Sequence, residues 1–348
     1  MVQRCATAAT LESNTMDPKI KVKFNDAIVQ QAMTRYGIAP DQIHLLDGFE
    51  SFIYGFTRDH HDYILRLGHS DRRSVALIHG EVDWLNYLAD GGATVARAVL
   101  SQNGELVEQI EDGQGGHWLA TAFVKAPGRP PQQEDWTPAF AHRYGQMVGR
   151  IHALSRHYRL TNPAWKRLEW DDPVMEDVQA HLPASEAVAA AKYHELRTYL
   201  QSLPKTTDSY GMVHFDPHGG NFFVDETGQL TLFDFDDCGY CWFAYDIAMV
   251  LFYRVTGRDD AESLTAALMP PFLRGYRQET SLDPYWLTQL PFFLKQREID
   301  LYALIHRSFD VENLTDPWCL RFMCNRKRRI EQDVPYLDYD FASLGGYL

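Results

Sequence analysis

Three oxygen-bearing side chains stand close together in one stretch of the chain. The segment Val213-His-Phe-Asp-Pro-His-Gly-Gly-Asn-Phe-Phe-Val224 puts Asp216 and Asn221 five positions apart. Asp234 follows thirteen positions later, within Leu230-Thr-Leu-Phe-Asp-Phe-Asp-Asp237. Apolar runs bracket the polar residues, so the loop is expected at the end of a small hairpin. A carboxylate, an amide and a second carboxylate on adjacent loop ends can converge on one metal–phosphate site. Asp and Asn oxygens are the hard ligands that Mg²⁺ takes. A further aspartate can align a hydroxyl for attack on a phosphoryl group. The alternative is a polar turn in which Asp216 and Asn221 only close around Gly219-Gly220.

A second constellation lies upstream. Arg66 alternates with Leu65 and Leu67 in a β-type run, so it faces away from them. Glu81 stands three residues after Ile78 and four before Leu85, beside the apolar face of a predicted helix. A carboxylate there wants a cation. An Arg66–Glu81 pair would aim the guanidinium at phosphates, which arginine clamps bidentately. A surface arginine with a solvated glutamate is the alternative. Gly48 and Gly55 flank Ser51 between two strands, but G-x-G-x-x-G is absent, and two ordinary turn glycines would read the same.

His214-x-Asp216-x₄-Asn221 with Asp234 at this spacing resembles the catalytic and metal-binding loops of the kinase fold. The form of these motifs is similar to that of the aminoglycoside phosphotransferase / choline kinase family. Gly149-Arg-Ile-His-Ala153, Tyr245-Asp246-Ile-Ala248, Tyr63-Ile-Leu-Arg66 and Gly80-Glu81-x-x-Trp84-Leu85 extend the likeness from about residue 40 to 255. The resemblance implies ATP and Mg²⁺ as cofactors and transfer of the γ-phosphate to a hydroxyl. It implies Asp216 as the catalytic carboxylate, with His214 orienting its loop, and Asn221 and Asp234 as metal ligands. It implies Arg66, Glu81 and the backbone near Ser51 around the phosphates, and Phe123 and Val124 at an adenine-binding hinge. The family more often has lysine where this chain has Arg66.

These residues need elements to hold them. A helix is expected over 24–36, closed by Gly37, then strands at 43–46, 52–57 and 63–67. Ser70 is read as the cap of a helix ending at Gly91-Gly92, and Trp118–Val124 as the last strand of this half. Pro and Gly crowd Lys125–Pro131. Helices are expected at about 137–155, 184–203, 243–256, 260–278, 284–308 and 315–330. The predicted fold is therefore α+β and bilobal, protein-kinase-like by resemblance. Residues 1–16 are read as a disordered tail, 17–123 as a β-rich nucleotide-binding N-lobe, 124–131 as a hinge and 132–348 as a helical C-lobe.

The chain of 348 residues has 33 Lys+Arg against 47 Asp+Glu, a net charge of −14. Nucleic acid and anionic membranes are therefore not expected as partners. No run of about 18 apolar residues is present, and the N-terminal segment has no apolar core of a signal peptide. Five cysteines, an odd number, suit reduced thiols, so a cytoplasmic location is expected. Cys238-x-x-Cys241 has no second pair for zinc, and Arg326–Arg329 reads as a solvated helix end. The resemblance implies a small-molecule hydroxyl acceptor as the partner. Glu298 and Tyr302 share a helix face in an aromatic-rich segment, and with it they suggest an amine-bearing acceptor. A protein kinase and a catalytically inactive nucleotide-binding protein are the alternatives. Phe215 and Asp236 replace the Arg and Gly of the protein-kinase motifs.

Overall fold

The computed structural model describes residues 16–46, 48, 50–173 and 178–348. The tail expected over residues 1–16, all but Met16, and Phe49 of the loop around Ser51 lie outside the described residues. The first elements are α1 (Pro18–Lys21) and α2 (Asp26–Tyr36). Asn25 caps α2 by accepting from the Ala27 amide at 3.0 Å, and Gly37 ends it at φ +64°.

A six-stranded antiparallel sheet follows, made of β1 (Ile43–Leu46), β2 (Phe52–Arg58), β3 (His61–His69), β4 (Ala98–Val99), β5 (Glu108–Glu111) and β6 (His117–Val124). Its order is β1-β2-β3-β6-β4, with β5 also on β6. Asp59 and His60 both take positive φ, which gives the β2–β3 hairpin a two-residue turn. The register seats Arg66 mid-sheet, opposite Ile53 of β2 and Thr121 of β6.

Helix α3 (Val75–Asp90) crosses from β3 towards the second lobe. Its cap is Ser74, which accepts from the Leu77 amide at 3.3 Å. The expectation for Ser70 is corrected: its hydroxyl accepts from the His117 amide at 2.9 Å, tying the chain to the sheet edge. The apolar face of α3 joins the core of the helical lobe through Ile78, Val82, Trp84, Leu85 and Leu88. Arg167 pins α3 further, donating to the carbonyls of Leu77, Asp236 and Cys238.

The helical lobe contains α4 (Pro138–Ser155), α5 (Val178–His181), α6 (Ala187–Gln201), α7 (Phe243–Val255), α8 (Ala261–Glu279), α9 (Leu290–Ser308), α10 (Pro317–Met323) and α11 (Arg326–Glu331). Two hairpin-like pairs interrupt it: β7 (Tyr210–Val213) with β10 (Gly239–Trp242), and β8 (Phe222–Val224) with β9 (Leu230–Leu232). The β7–β10 pair was not anticipated, and Cys238-x-x-Cys241 is its edge, with both thiols free and buried. The helix expected over 315–330 breaks at Asn325, which adopts φ +55° and starts a new helix. Helices α4 and α8 touch backbone to backbone. A Cβ on Gly145 would fall 1.9 Å from the Phe272 carbonyl oxygen, and one on Gly275 1.9 Å from that of His142. Among the described residues no helix is long and apolar enough to cross a membrane.

Candidate active site

The loop from β7 to β8 is held from below by α7. Asp246, in the first turn of α7, accepts from the backbone amides of His214 and Phe215, both at 2.9 Å. It also meets His152 Nε2 of α4 at 3.2 Å, and His152 Nδ1 lies 2.9 Å from the Tyr276 hydroxyl of α8. Three helices thereby fix two consecutive amides. Phe215 is held at φ +72°, a strained conformation for a non-glycine residue that persists only where its surroundings over-determine it. His214 is buried, with Nε2 3.0 Å from the Phe233 carbonyl oxygen and Nδ1 accepting from the Asp216 amide at 3.2 Å. Burial pushes its pKa down, so the imidazole is neutral and both nitrogens are used in holding the loop.

The Asp216 carboxylate projects from this frame into the cleft. Its Oδ2 lies 3.3 Å from His218 Nε2, and its Oδ1 lies 3.5 Å from Arg297 Nη2. His218 Nδ1 accepts from the Gly220 amide at 2.8 Å, so the proton sits on Nε2 and points at the carboxylate. Arg297 reaches in from α9 and is steadied by the Tyr253 hydroxyl of α7, which it meets through Nε at 3.2 Å and Nη2 at 2.5 Å. Burial pushes the Asp216 carboxyl up, but His218 and Arg297 outweigh it and hold it well below the usual carboxylate range. It is ionised at neutral pH and can accept a hydrogen bond from a hydroxyl.

Asn221 donates its amide to the Asp216 carbonyl at 2.9 Å, which orients the Asn221 oxygen. The Phe233 amide donates to the Asn221 carbonyl at 2.8 Å, so Asn221 and Asp234 end facing strands of one hairpin. Asp234 takes φ +64°, a second strained residue, and opens to the cleft. Its depth between the lobes and the neighbouring Asp236 push its carboxyl up to about 7, with Arg66 pulling the other way. A carboxylate short of countercharge beside an amide oxygen suits a hard divalent cation. Among the described residues no group of three or more His, Cys, Asp or Glu is placed to hold a metal alone. Mg²⁺ on Asn221 and Asp234 would therefore complete its shell with phosphate and water oxygens, as this ion commonly does.

Across the cleft, Arg66 and Glu81 meet as a bidentate pair at 2.8 and 2.7 Å. Both are buried, and the guanidinium lies 5.0 Å from the centroid of the Phe123 ring. Ser51 lines a small cavity together with Arg66. The hinge expectation needs correction. The Val124 amide donates to the Arg97 carbonyl at 2.9 Å, and the next amide, Lys125, donates to Asp62 at 3.1 Å. Phe123 is a paired residue of β6, flanked by β3 and β4. It can present a ring to a base, but its backbone is engaged in the sheet.

Residues 44–285 match the phosphotransferase enzyme family. The chain belongs to that family. It is 37% identical over 328 residues to the amicoumacin kinase of Bacillus subtilis (strain 168), covering 93% of this chain and 97% of that protein. The solved structure of amicoumacin kinase hAmiN in complex with AMP-PNP, Ca²⁺ and Ami superposes with a TM-score of 0.90 at 35% identity, covering 94% of this chain and 100% of that one. The microcompartment-associated aminopropanol kinase shares the fold, with a TM-score of 0.68 at 23% identity over 89% of this chain and 98% of that one. The chain is accordingly a kinase-fold phosphotransferase that moves phosphate from ATP to an alcohol group of a small molecule.

The acceptor side of this phosphotransferase differs from the sequence expectation. Glu298 is fully buried and paired with Arg326 at 2.5 Å and Lys295 at 2.6 Å. Tyr302 donates to Glu186 at 2.8 Å, and Glu186 also pairs with Lys327. Both residues tie α9 to its neighbours and present no free negative wall. Arg326 is likewise buried and not a solvated helix end. The residue of α9 that does reach the Asp216 carboxylate is Arg297. Arg297, His218 and Tyr253 were not singled out from the sequence, and nothing local to them marks the role. His218 alone carried a signal, being two residues from Asp216 in a histidine-bearing loop.

Proposed function

We propose that Asp216 aligns the acceptor hydroxyl for in-line attack on the γ-phosphorus of ATP, while Asn221 and Asp234 hold Mg²⁺ against the phosphates. The hydroxyl oxygen bonds to phosphorus, its proton passes to the Asp216 carboxylate, the bond to the β-phosphate oxygen breaks, and ADP leaves. Arg66, oriented by Glu81, takes the α- and β-phosphates, and the backbone around Ser51 covers them. We read residues 124–131 as the hinge between the lobes, with the base beside the Phe123 ring. The observation that carries this reading is the loop itself: Asp216 bonded to Asn221, with Asp234 across the hairpin and Arg66–Glu81 facing them.

Helix α7 begins at Phe243, nine residues after Asp234, which leaves no length for a regulated activation segment. A small acceptor follows. The relation to amicoumacin kinase makes amicoumacin the first compound to test. The likeness to the aminopropanol kinase adds amino alcohols to that test and carries the reading of an amine-bearing acceptor. Reduced, buried Cys238 and Cys241 favour a cytoplasmic setting.

The test is ADP release and product phosphorylation with amicoumacin, amino alcohols, aminoglycosides and neutral sugars. Amicoumacin or an amine is expected to react, and Asp216→Asn is expected to lose several orders of magnitude in kcat while ATP still binds. A variant keeping more than about a tenth of kcat, worth only about 1.4 kcal/mol, would remove Asp216 from the chemistry. Good turnover of neutral sugars, with amines inert, would end the amine reading alone.

A further inference from the structure

The cavity beside Arg66 holds more positive charge than the Arg66–Glu81 pair explains. Ser51, Arg66, His69, Arg72, Arg73 and Asp236 line it. Three of these six are arginines, in a chain of net charge −14. Arg72 and Arg73 belong to the turn between β3 and α3, on the N-lobe side of the cleft. Their partners are all carboxylates from loops bordering the cleft. Arg72 Nε donates to Glu50 Oε2 at 2.5 Å, and its Nη1 to Asp236. Arg73 Nη2 donates to Asp237 Oδ1 at 2.7 Å.

Arg73 carries the decisive detail. Its side chain is 10% exposed, yet its Nε has no hydrogen-bond acceptor. The carboxylate oxygen that comes towards it, Asp236 Oδ2, stops at 4.0 Å. A buried guanidinium N–H without an acceptor is costly, and native structures seldom keep one without reason. Arg66 Nη1, already bonded to Glu81, comes no nearer to Asp236 than 3.6 Å. Where the three guanidinium groups converge, Arg73 Nε is the one buried N–H of the three left without an acceptor among the described residues.

We propose that Arg72 and Arg73 are phosphate-binding residues that take the β- and γ-phosphates and, with Arg66 on the α- and β-phosphates, complete a three-arginine seat. Asp236, Asp237 and Glu50 hold that seat until nucleotide displaces them. This rests on the ATP reading above and extends it to two residues outside the matched motifs. The exchange is chemically like for like. A carboxylate fork leaves a guanidinium fork and a phosphate edge takes its place, so the arginines stay hydrogen-bonded throughout. Phosphate offers more oxygens than the carboxylate it replaces, which supplies the acceptor that Arg73 Nε lacks.

Calorimetric titration with Mg²⁺·AMP-PNP and with AMP separates the possibilities. Arg72→Gln and Arg73→Gln are each expected to weaken AMP-PNP about tenfold or more, and to leave AMP, which lacks the β- and γ-phosphates, unchanged. Asp237→Asn removes the competitor of Arg73 from a site 55% exposed, and is expected to tighten AMP-PNP. This variant keeps the test alive should an arginine variant fold poorly. A purely structural clasp would lower the melting temperature of all three variants and leave AMP-PNP affinity at the wild-type value; that result, with wild-type binding intact, would overturn the assignment. A wild-type chain that binds neither nucleotide would instead bring down the phosphotransferase site as a whole.

Discussion

Asp216 meets a donor on each carboxylate oxygen, and the two donors do different work. His218 belongs to the same loop and moves with it, whereas Arg297 is brought by α9 and reports how the helices pack. Removing Arg297 takes away a cation that holds the Asp216 carboxyl down, so that carboxyl must rise towards its ordinary range. In its proposed role Asp216 acts ionised, so the acid limb of the kcat–pH profile in Arg297→Ala is expected to move to higher pH, with kcat reduced. A profile superposing on wild type would show that Arg297 does not act through Asp216. Asp234 has the opposite shift. The fold pushes its carboxyl up to about 7 from the ordinary 3.8, so the folded state binds the extra proton between these values. Its contribution to stability is present at low pH and is lost as pH rises towards 7. Asp234→Asn is therefore expected to melt higher than wild type above pH 7 without Mg²⁺, with the gain fading towards pH 4. Equal melting temperatures across that range would mean the Asp234 carboxyl is not raised.

At the scale of elements, the loop geometry depends on helices that carry none of the chemistry. Asp246 of α7 holds two amides, His152 of α4 holds Asp246, and Tyr276 of α8 holds His152. This chain of contacts needs α4 and α8 in backbone contact, which Gly145 and Gly275 permit. Gly145→Ala is expected to lower stability by about 1–3 kcal/mol through overpacking, and to cut kcat by displacing the loop. Chemical denaturation and steady-state rates check the two effects, and an unchanged rate would uncouple the helix contact from the loop. The same scale explains what could be read from the sequence. Asp216, Asn221 and Asp234 were legible because one hairpin fixes their spacing, and the Arg66–Glu81 pair because strand alternation and helical periodicity each point inward. Helix α2 announced itself by its closing Gly37, and α4, α7 and α8 were expected close to their observed bounds. Arg297 was not legible, since it lies 81 residues from Asp216 and meets it only through the docking of α9. Glu298, its neighbour, read as a carboxylate of the acceptor wall because the buried partner, Arg326, is 28 residues away on another helix. Strand β7 was hidden because its four residues pair with β10, across the whole site.

At the scale of the molecule, the site belongs to neither lobe. Arg66 and Ser51 come from the sheet, Glu81 from a helix whose apolar face is buried in the other lobe's core, and Asp216, Asn221 and Asp234 from the helical lobe. Trp84 of α3 packs edge-on against Phe235 at 5.4 Å, so the residue after Asp234 is also a lobe contact. Ion pairs cross the cleft as well, with Arg307 of α9 3.1 Å from Glu50. Lobes joined in this way are expected to unfold together. Nucleotide bound between them must then stabilise the whole chain, because binding to the folded state alone adds about 2.7 kcal/mol at a ligand concentration 100 times Kd. For a chain of this length that corresponds to a rise of a few degrees in a single melting transition. Differential scanning calorimetry with and without Mg²⁺·AMP-PNP measures it. Two transitions of which only one moves would show that the lobes melt separately, and that the contacts through α3 do not couple the sheet to the catalytic loop.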